Sequence, residues 1–421
     1  MTNLLYLFNP DQDLALASGE INYMPPASAR RMAEELALLP VWFADRPCSV
    51  LAPSAYNQSF LEEMLDLFPL PASLRTQAED FSEVRSVVPW GWNPALRKRL
   101  LSLGVPDAAL PSMEDIGRLR DLSHRLQAVQ LLSGLQVDEV FCGESCYLTA
   151  LSDCRAFVES LECCLLKAPL SGSGKGLNWC KGAFTPLIER WCARVIEQQG
   201  GVVGEPIYNK VEDFAMEFYS DGKGRITFAG YSLFRTNAGG AYEGNRLLPD
   251  AEIERRLSAY VPVAALHRLR EELQRRLSVS LGTEYTGYLG VDMMICRFAL
   301  LPEFRIHPCV EINLRMNMGL VSRMLYDRYV RPGAGGTFRI SYHPSDGQAL
   351  QEHDAMTVAH PLHTRNGRVV KGYLPLVPVR SRAAIGLISW WKPADKVLYR
   401  LLFARKENGE AASRARFGPQ R

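Results

Sequence analysis

The chain has 421 residues, 47% of them hydrophobic and 22% charged, with 48 Lys and Arg against 46 Asp and Glu for a formal net charge of +2. Such a length exceeds one ordinary core and calls for two or three globular lobes. The balanced charge excludes a global basic field, so neither nucleic acid nor a membrane surface is expected as a partner.

Taken in chain order, residues 4–8 read as a buried first strand. This apolar run has no basic residues before it and ends at Asn9-Pro10, too soon for a signal peptide. The polar segment Asn9-Pro10-Asp11-Gln12-Asp13 follows at the strand's C-terminal end, where open α/β sheets bind ligands; a simple turn or helix entry accounts for it equally well. Helical patterning covers residues 27–38 and 59–67, with a short strand at 49–51 between them, so the segment to about residue 110 reads as a small α/β lobe. Pro106 and Pro111 bracket a linker, and residues 113–132 are helical in composition. Beyond them come a strand at 161–168, a Gly/Ser loop, a helix at 185–198 and a strand at 201–208. The pattern then turns antiparallel: residues 214–219 and 226–234 flank Asp221-Gly222-Lys223-Gly224, a hairpin-turn sequence. A charged helix at 251–277 precedes the strand that carries Asp292. Residues 333–393, with Trp390-Trp391, fit no motif and read as a lid, a partner surface or more core, and residues 405–421 as a frayed polar tail. There is no internal repeat, and no stretch approaches a membrane span. The ten cysteines lack the paired Cys-x-x-Cys spacing of a zinc site and read as reduced thiols of a cytoplasmic protein.

Two segments carry chemistry. Lys167-Ala-Pro-Leu-Ser171-Gly172-Ser173-Gly174-Lys175-Gly176 closes an apolar strand with a lysine and continues into a small-residue loop with a second one. Glycines let backbone N–H groups approach an anion, and the lysines add charge suited to phosphates. It is not a Walker A loop, since Gly176 stands where Ser or Thr is required; a flexible solvated loop is the plain alternative. The second segment is Glu311-Ile-Asn313-Leu-Arg315, about a hairpin's length after Val291-Asp292-Met-Met-Ile295. On a strand, residues 311, 313 and 315 face one way. Hard oxygen ligands from Asp292, Glu311 and Asn313 suit Mg²⁺. An edge strand with alternating polar residues is the competing reading.

Together these blocks resemble the ATP-grasp superfamily, whose members carry a lysine and glycine-rich loop over the triphosphate, a hinge strand at the adenine, and a late Asp followed by Glu-x-Asn-x-Arg on the metals. The blocks appear here in that order, as Lys167–Gly176, Val202–Tyr208, and Asp292 with Glu311–Arg315, within residues 113–330. The resemblance implies an ATP-grasp α/β fold: an N-terminal α/β lobe (1–112), a central lobe with the glycine loop (113–208) and a C-terminal antiparallel lobe with the metal site (209–404). It implies ATP with Mg²⁺, or Mn²⁺ in its place. Lys167 would contact the α- and β-phosphates, Ser171, Gly172, Ser173, Gly174 and Lys175 would close over the β- and γ-phosphates, and Glu205, Pro206, Ile207 and Tyr208 would line the adenine. Asp213 would take the ribose hydroxyls, Asp292, Glu311 and Asn313 the metal, and Arg315 the charge on the transferring group. The sequence departs from the pattern twice. The basic residue before the nucleotide lobe is Arg125 of Ser123-His124-Arg125, and Gly290-Val291 stands where several ligases place an arginine, a charge that Arg235 or Arg246 would supply. His124 and His307 read as structural.

The resulting expectation is an ATP- and Mg-dependent ligase that activates a carboxylate as an acyl-phosphate for attack by an amine, thiol or other nucleophile. Specificity would come from Asn9–Asp13 and the loop between Arg235 and Arg246. A small-molecule kinase on the same fold and a non-catalytic nucleotide-binding module are the alternatives. Small-molecule substrates are the expected partners, and a homodimer is compatible with the sequence.

Overall fold

The structure is a computed structural model. It describes residues 3–380 and 385–392, apart from residues 54, 55, 173, 175 and 238, and only the backbone of 385–392. Three sheets organise it, so the mixed α/β class read from the sequence holds.

The first sheet is four-stranded and wholly parallel. It comprises β1 (Leu4–Leu7), β2 (Cys48–Leu51), β3 (Ala72–Arg75) and β4 (Ser86–Pro89) in the order β3-β2-β1-β4. After β1 the chain builds outward through β2 and β3, then returns to the other side of β1 with β4. The two segments that leave this switch point are tied to each other. Asn9 donates to Gly91 O at 2.8 Å, and Asn93 donates to Gln12 Oε1 at 3.1 Å while accepting from Leu96 N–H to cap helix Pro94–Ser102. Buried polar groups that are paired in this way hold the turn after β1 in one conformation.

The second sheet has the order β5-β8-β6-β7, from β5 (Cys146–Leu148), β6 (Cys164–Lys167), β7 (Leu177–Cys180) and β8 (Val202–Pro206). Helices Leu151–Glu159 and Pro186–Gln199 close its own core. Thr185 caps the second of these, and Gly200, at φ 83°, ends it.

The third sheet has nine strands. Its members are β9 (Lys210–Asp221), β10 (Ile226–Thr236), β11 (Tyr242–Leu247), β12 (Thr286–Arg297), β13 (Phe304–Asn313), β14 (Gly335–Tyr342), β15 (His363–Arg365), β16 (Arg368–Pro375) and β17 (Ile385–Lys392). The order is β13-β12-β9-β10-β11-β14-β17-β16-β15. One face packs on helices Asp250–Leu257 and Val263–Leu281 through Phe214, Met216, Leu289 and Val291. The other face is polar at its centre and looks towards the smaller sheets. Among the described residues of 333–393, strands β14 to β17 extend this sheet; the side chains of Trp390 and Trp391 lie outside the described residues, as does the tail 405–421.

Two expected helices are broken. Residues 113–132 divide into Met113–Leu122 and Leu126–Ser133, and the interruption brings Arg125 N–H to Pro169 O at 3.1 Å. Residues 251–277 divide at Val261-Pro262, since proline supplies no N–H and starts the second helix instead. Among the described residues no helix is long and apolar enough to cross a membrane, and all ten cysteines are unbridged.

Candidate functional site

The register of the large sheet places the polar face in rows. Opposite residues on antiparallel neighbours share a face, so Phe234, Asp213, Met294 and His307 form one row across β10, β9, β12 and β13. Ser232, Ala215, Asp292 and Glu311 form the next, and Glu217, Gly290 and Asn313 a third. The glycine loop faces this surface. A cavity of about 510 Å³ is lined by Gly172 and Gly174 on one side and by Asp292, Glu311, Asn313 and Arg315 on the other. Pro10, Asp11 and Asp13 of the first lobe share it.

Charge is held in place by three ion pairs, each of which crosses between segments. Arg125 donates to Glu311 Oε1 at 2.7 Å, to Ser171 Oγ at 2.6 Å and to Ala168 O at 2.6 Å, which ties the glycine loop to the late strand. Arg315 grips Asp13 with two bonds of 2.7 Å, the planar bidentate geometry that recognises carboxylates and phosphates. Asp13 also fills the space beside Gly172, where any Cβ would collide with its carboxylate. Lys167 Nζ lies 2.5 Å from Glu205 Oε2, with both side chains buried.

Asp292 and Glu311 stand directly opposite, and Asn313 Nδ2 donates to Asp292 Oδ2 at 3.1 Å. Burial, and then the charge of Glu311, push the Asp292 carboxyl up to about 7. Among the described residues no group of three or more His, Cys, Asp and Glu is arranged to hold a metal ion. The donors here are two carboxylates and one amide. A buried carboxyl whose ionisation is suppressed, crowded by a second hard oxygen donor, is what a divalent cation relieves, so this set fits Mg²⁺ with part of its shell left to water and phosphate.

Not every expected residue reaches the cavity. Arg235 and Arg246 lie opposite Gly244 and Leu233, on the reverse face, where their charges act on Glu212. They do not supply the arginine missing before Asp292. Asp213 is in the first row, bound to Thr236 Oγ1 at 2.9 Å and to Lys210 Nζ at 2.5 Å. Lys167, Glu205, Pro206, Ile207 and Tyr208 do not line this cavity; Ile207 is exposed and the Tyr208 ring packs edge-on to His307 at 5.6 Å. Ser173 and Lys175 lie outside the described residues. Of the turn Asn9–Asp13, Asn9 is structural, and Asp11 and Asp13 face the cavity.

Several cavity residues escape the sequence reading. Glu217, 1% exposed, accepts from Asn317 Nδ2 at 2.9 Å, and burial pushes its carboxyl up to about 8. Tyr242, Asn245 and Ser232 form a hydrogen-bonded chain beside it. Asn317 is legible in principle, because it continues the two-residue spacing of Glu311, Asn313 and Arg315. It also caps helix Met318–Tyr329.

No protein-family model matches the chain, and no curated protein matches it. Among solved structures it is similar to N5-carboxyaminoimidazole synthetase from Staphylococcus aureus complexed with ADP, at 12% identity and a TM-score of 0.49, covering 95% of this chain and 96% of that one. It is similar to biotin carboxylase from Campylobacter jejuni at 12% identity and a TM-score of 0.48, covering 93% and 87%. It is also similar to N5-carboxyaminoimidazole ribonucleotide synthetase from Thermus thermophilus, at 13% identity and a TM-score of 0.47, covering 99% and 100%.

Proposed function

We propose that the chain is an ATP-dependent ligase of the ATP-grasp kind, which activates a small-molecule carboxylate as an acyl-phosphate and couples it to an amine or another nucleophile. The observation that carries this reading is the single cavity shared by the glycine loop, the late acid-amide-arginine strand and the first lobe. Loop glycines open their backbone N–H groups to phosphate oxygens, and Arg125 and Lys167 are the cations at hand on the loop side. Asp292, Glu311 and Asn313 would hold Mg²⁺, which when bound neutralises phosphate charge. Arg315 would bind the transferring phosphoryl group, an oxyanion that would take over its two bonds to Asp13.

The chemistry then needs positioning rather than a side-chain nucleophile. A carboxylate oxygen attacks the γ-phosphorus and ADP leaves with the bridging oxygen; the nucleophile attacks the carbonyl carbon, the C–O bond to phosphate breaks and a proton is released. Asp11 and Asp13, at the first lobe's switch point, face the end of the cavity where the acid and its acceptor would sit. The free thiols fit a cytoplasmic setting.

Calorimetric titration with MgADP tests the nucleotide site directly, and ATP turnover in the presence of a metabolite pool tests the ligase. Glu311→Gln should bind nucleotide with a higher Mg²⁺ requirement and lose turnover by at least about a hundredfold. A variant with wild-type turnover and an unchanged Mg²⁺ titration removes Glu311 from the site.

A further inference from the structure

We propose that His307 contacts the base of the bound nucleotide and is a determinant of which base is accepted, an inference that rests on the nucleotide reading above. His307 is wholly buried, yet neither ring nitrogen has a hydrogen-bond partner among the described residues. A buried polar group left unsatisfied needs an explanation, and an arriving ligand atom is one.

Its position selects the ligand. His307 shares a cross-strand row with Met294 and Asp213, next to the row that holds Asp292 and Glu311. If Asp292 and Glu311 mark the metal and phosphates, this neighbouring row is the nucleoside end of the site. The segment that leaves β8 crosses at the same end: the Tyr208 ring stands edge-on to the imidazole at 5.6 Å, and the Lys167–Glu205 pair is close enough to act on its charge. Residues 142–144 close over the ring, and the Tyr208 hydroxyl rests on the Glu144 backbone. Cys142 N–H donates to Ile306 O at 2.8 Å, and the backbone of Gly143 lies so near the ring that a Cβ there would meet it at 2.8 Å. A base reaches the imidazole once the Tyr208 ring swings off the Glu144 backbone.

Burial lowers the imidazole to about 4, so it is neutral at physiological pH and offers one lone pair and one N–H. The lone pair is matched by the exocyclic amino group of adenine. A ring of this kind recognises an edge and gives no charge to the phosphates, so its loss should be felt by a nucleotide and not by a phosphate chain alone.

Calorimetry with two probes, MgADP and Mg-tripolyphosphate, separates these roles in the wild type and in His307→Phe, while His307→Asn restores a donor and an acceptor. The expected result is that His307→Phe weakens MgADP about tenfold or more, leaves Mg-tripolyphosphate unchanged, and is partly rescued in His307→Asn. In ¹⁵N-histidine-labelled wild-type protein, MgADP should also shift the His307 ring-nitrogen resonances, a readout that decides the matter alone if a variant does not fold. Equal effects of His307→Phe on both probes, or unmoved nitrogen resonances in protein saturated with MgADP, overturn the inference and leave the nucleotide reading standing. Failure of the wild type to bind MgADP overturns both.

Discussion

Glu217 sits in the third row of the polar face and accepts a hydrogen bond from Asn317. Burial is the main reason its carboxyl rises from an ordinary 4.5 to about 8, and the nearby charge of Asp292 adds to it. The consequence for stability has a definite sign. Between those two values the folded protein holds a proton that the unfolded chain has released, so stability falls as pH rises, by at most roughly 1.4 kcal/mol per pH unit. Below the lower value both states are protonated and the effect vanishes. Glu217→Gln keeps the side-chain length and an oxygen for Asn317 but cannot ionise. Denaturation midpoints followed from pH 5 to 8 should therefore decline less steeply in the variant, and parallel profiles would show that Glu217 is ionised throughout. Asp292 contributes a slope of the same sign in both proteins, so the difference between the two profiles reports Glu217 together with its coupling to Asp292. At this scale the sequence is informative where side-chain alternation speaks for itself: Glu311 and Asn313 have to share a face once they are on a strand, while Arg315, just past the end of β13, reaches the same cavity from the turn. Arg235 is misplaced by sequence reasoning because parity depends on register, and it stands between Phe234 and Thr236, which do line the cavity. Glu217 escapes because one acid in an apolar strand resembles any half-exposed position until the burial of both its neighbours is known.

At the scale of elements, the first turn of helix Met318–Tyr329 is fitted to that same carboxyl. Gly319 lies against Glu217 and Ser232 so closely that a methyl group would overlap both. In an open helix, Gly→Ala stabilises by about 1 kcal/mol. Here Gly319→Ala should instead destabilise by about 1–3 kcal/mol, as overpacking does, with recovery when Glu217→Ala is added. A stabilising effect of the single change, measured by chemical denaturation, would mean that the turn is free to move away. The helix breaks have a similar origin in tertiary contacts. Residues 113–132 are helical in composition, and the interruption at Ser123–Arg125 is stabilised by partners 43 and 186 residues away in sequence, Ala168 and Glu311, which no local pattern reveals. Pro262, by contrast, is a visible stop signal inside a charged stretch and divides the expected helix where proline would. Strands β1, β6, β8, β9, β10 and β12 are legible as apolar runs bounded by turns; β3 and β4 are short and partly exposed, with no sustained apolar run to mark them.

At the scale of the whole molecule, the cores do not follow the three sheets. One cluster joins Tyr6, Trp42 and Phe68 of the first lobe to Leu320 of helix Met318–Tyr329 and to Phe338 and Leu374 of the large sheet, while the second lobe keeps a separate core around Cys164, Leu166 and Cys192. Residue 112, the expected division, falls in the long connection between β4 and β5, and the shared cluster joins residues on both sides of it. Trp42 is the centre of the joint: it is fully buried, stacks edge-on with Phe68 and Tyr329, and donates Nε1–H to Leu376 O at 2.6 Å. Removing it should cost about 3–5 kcal/mol from lost packing, and leaves that carbonyl without its donor. Because the cluster spans both lobes, hydrogen exchange in Trp42→Ala should accelerate together in β1, β2 and β16, whereas β6 and β8 exchange at their original rates. Acceleration confined to β1 and β2 would mean that the first lobe opens as a unit of its own. Such independence would also let the Asp13–Arg315 contact separate without disturbing the large sheet, so the exchange pattern decides whether the cavity's third wall is fixed or hinged.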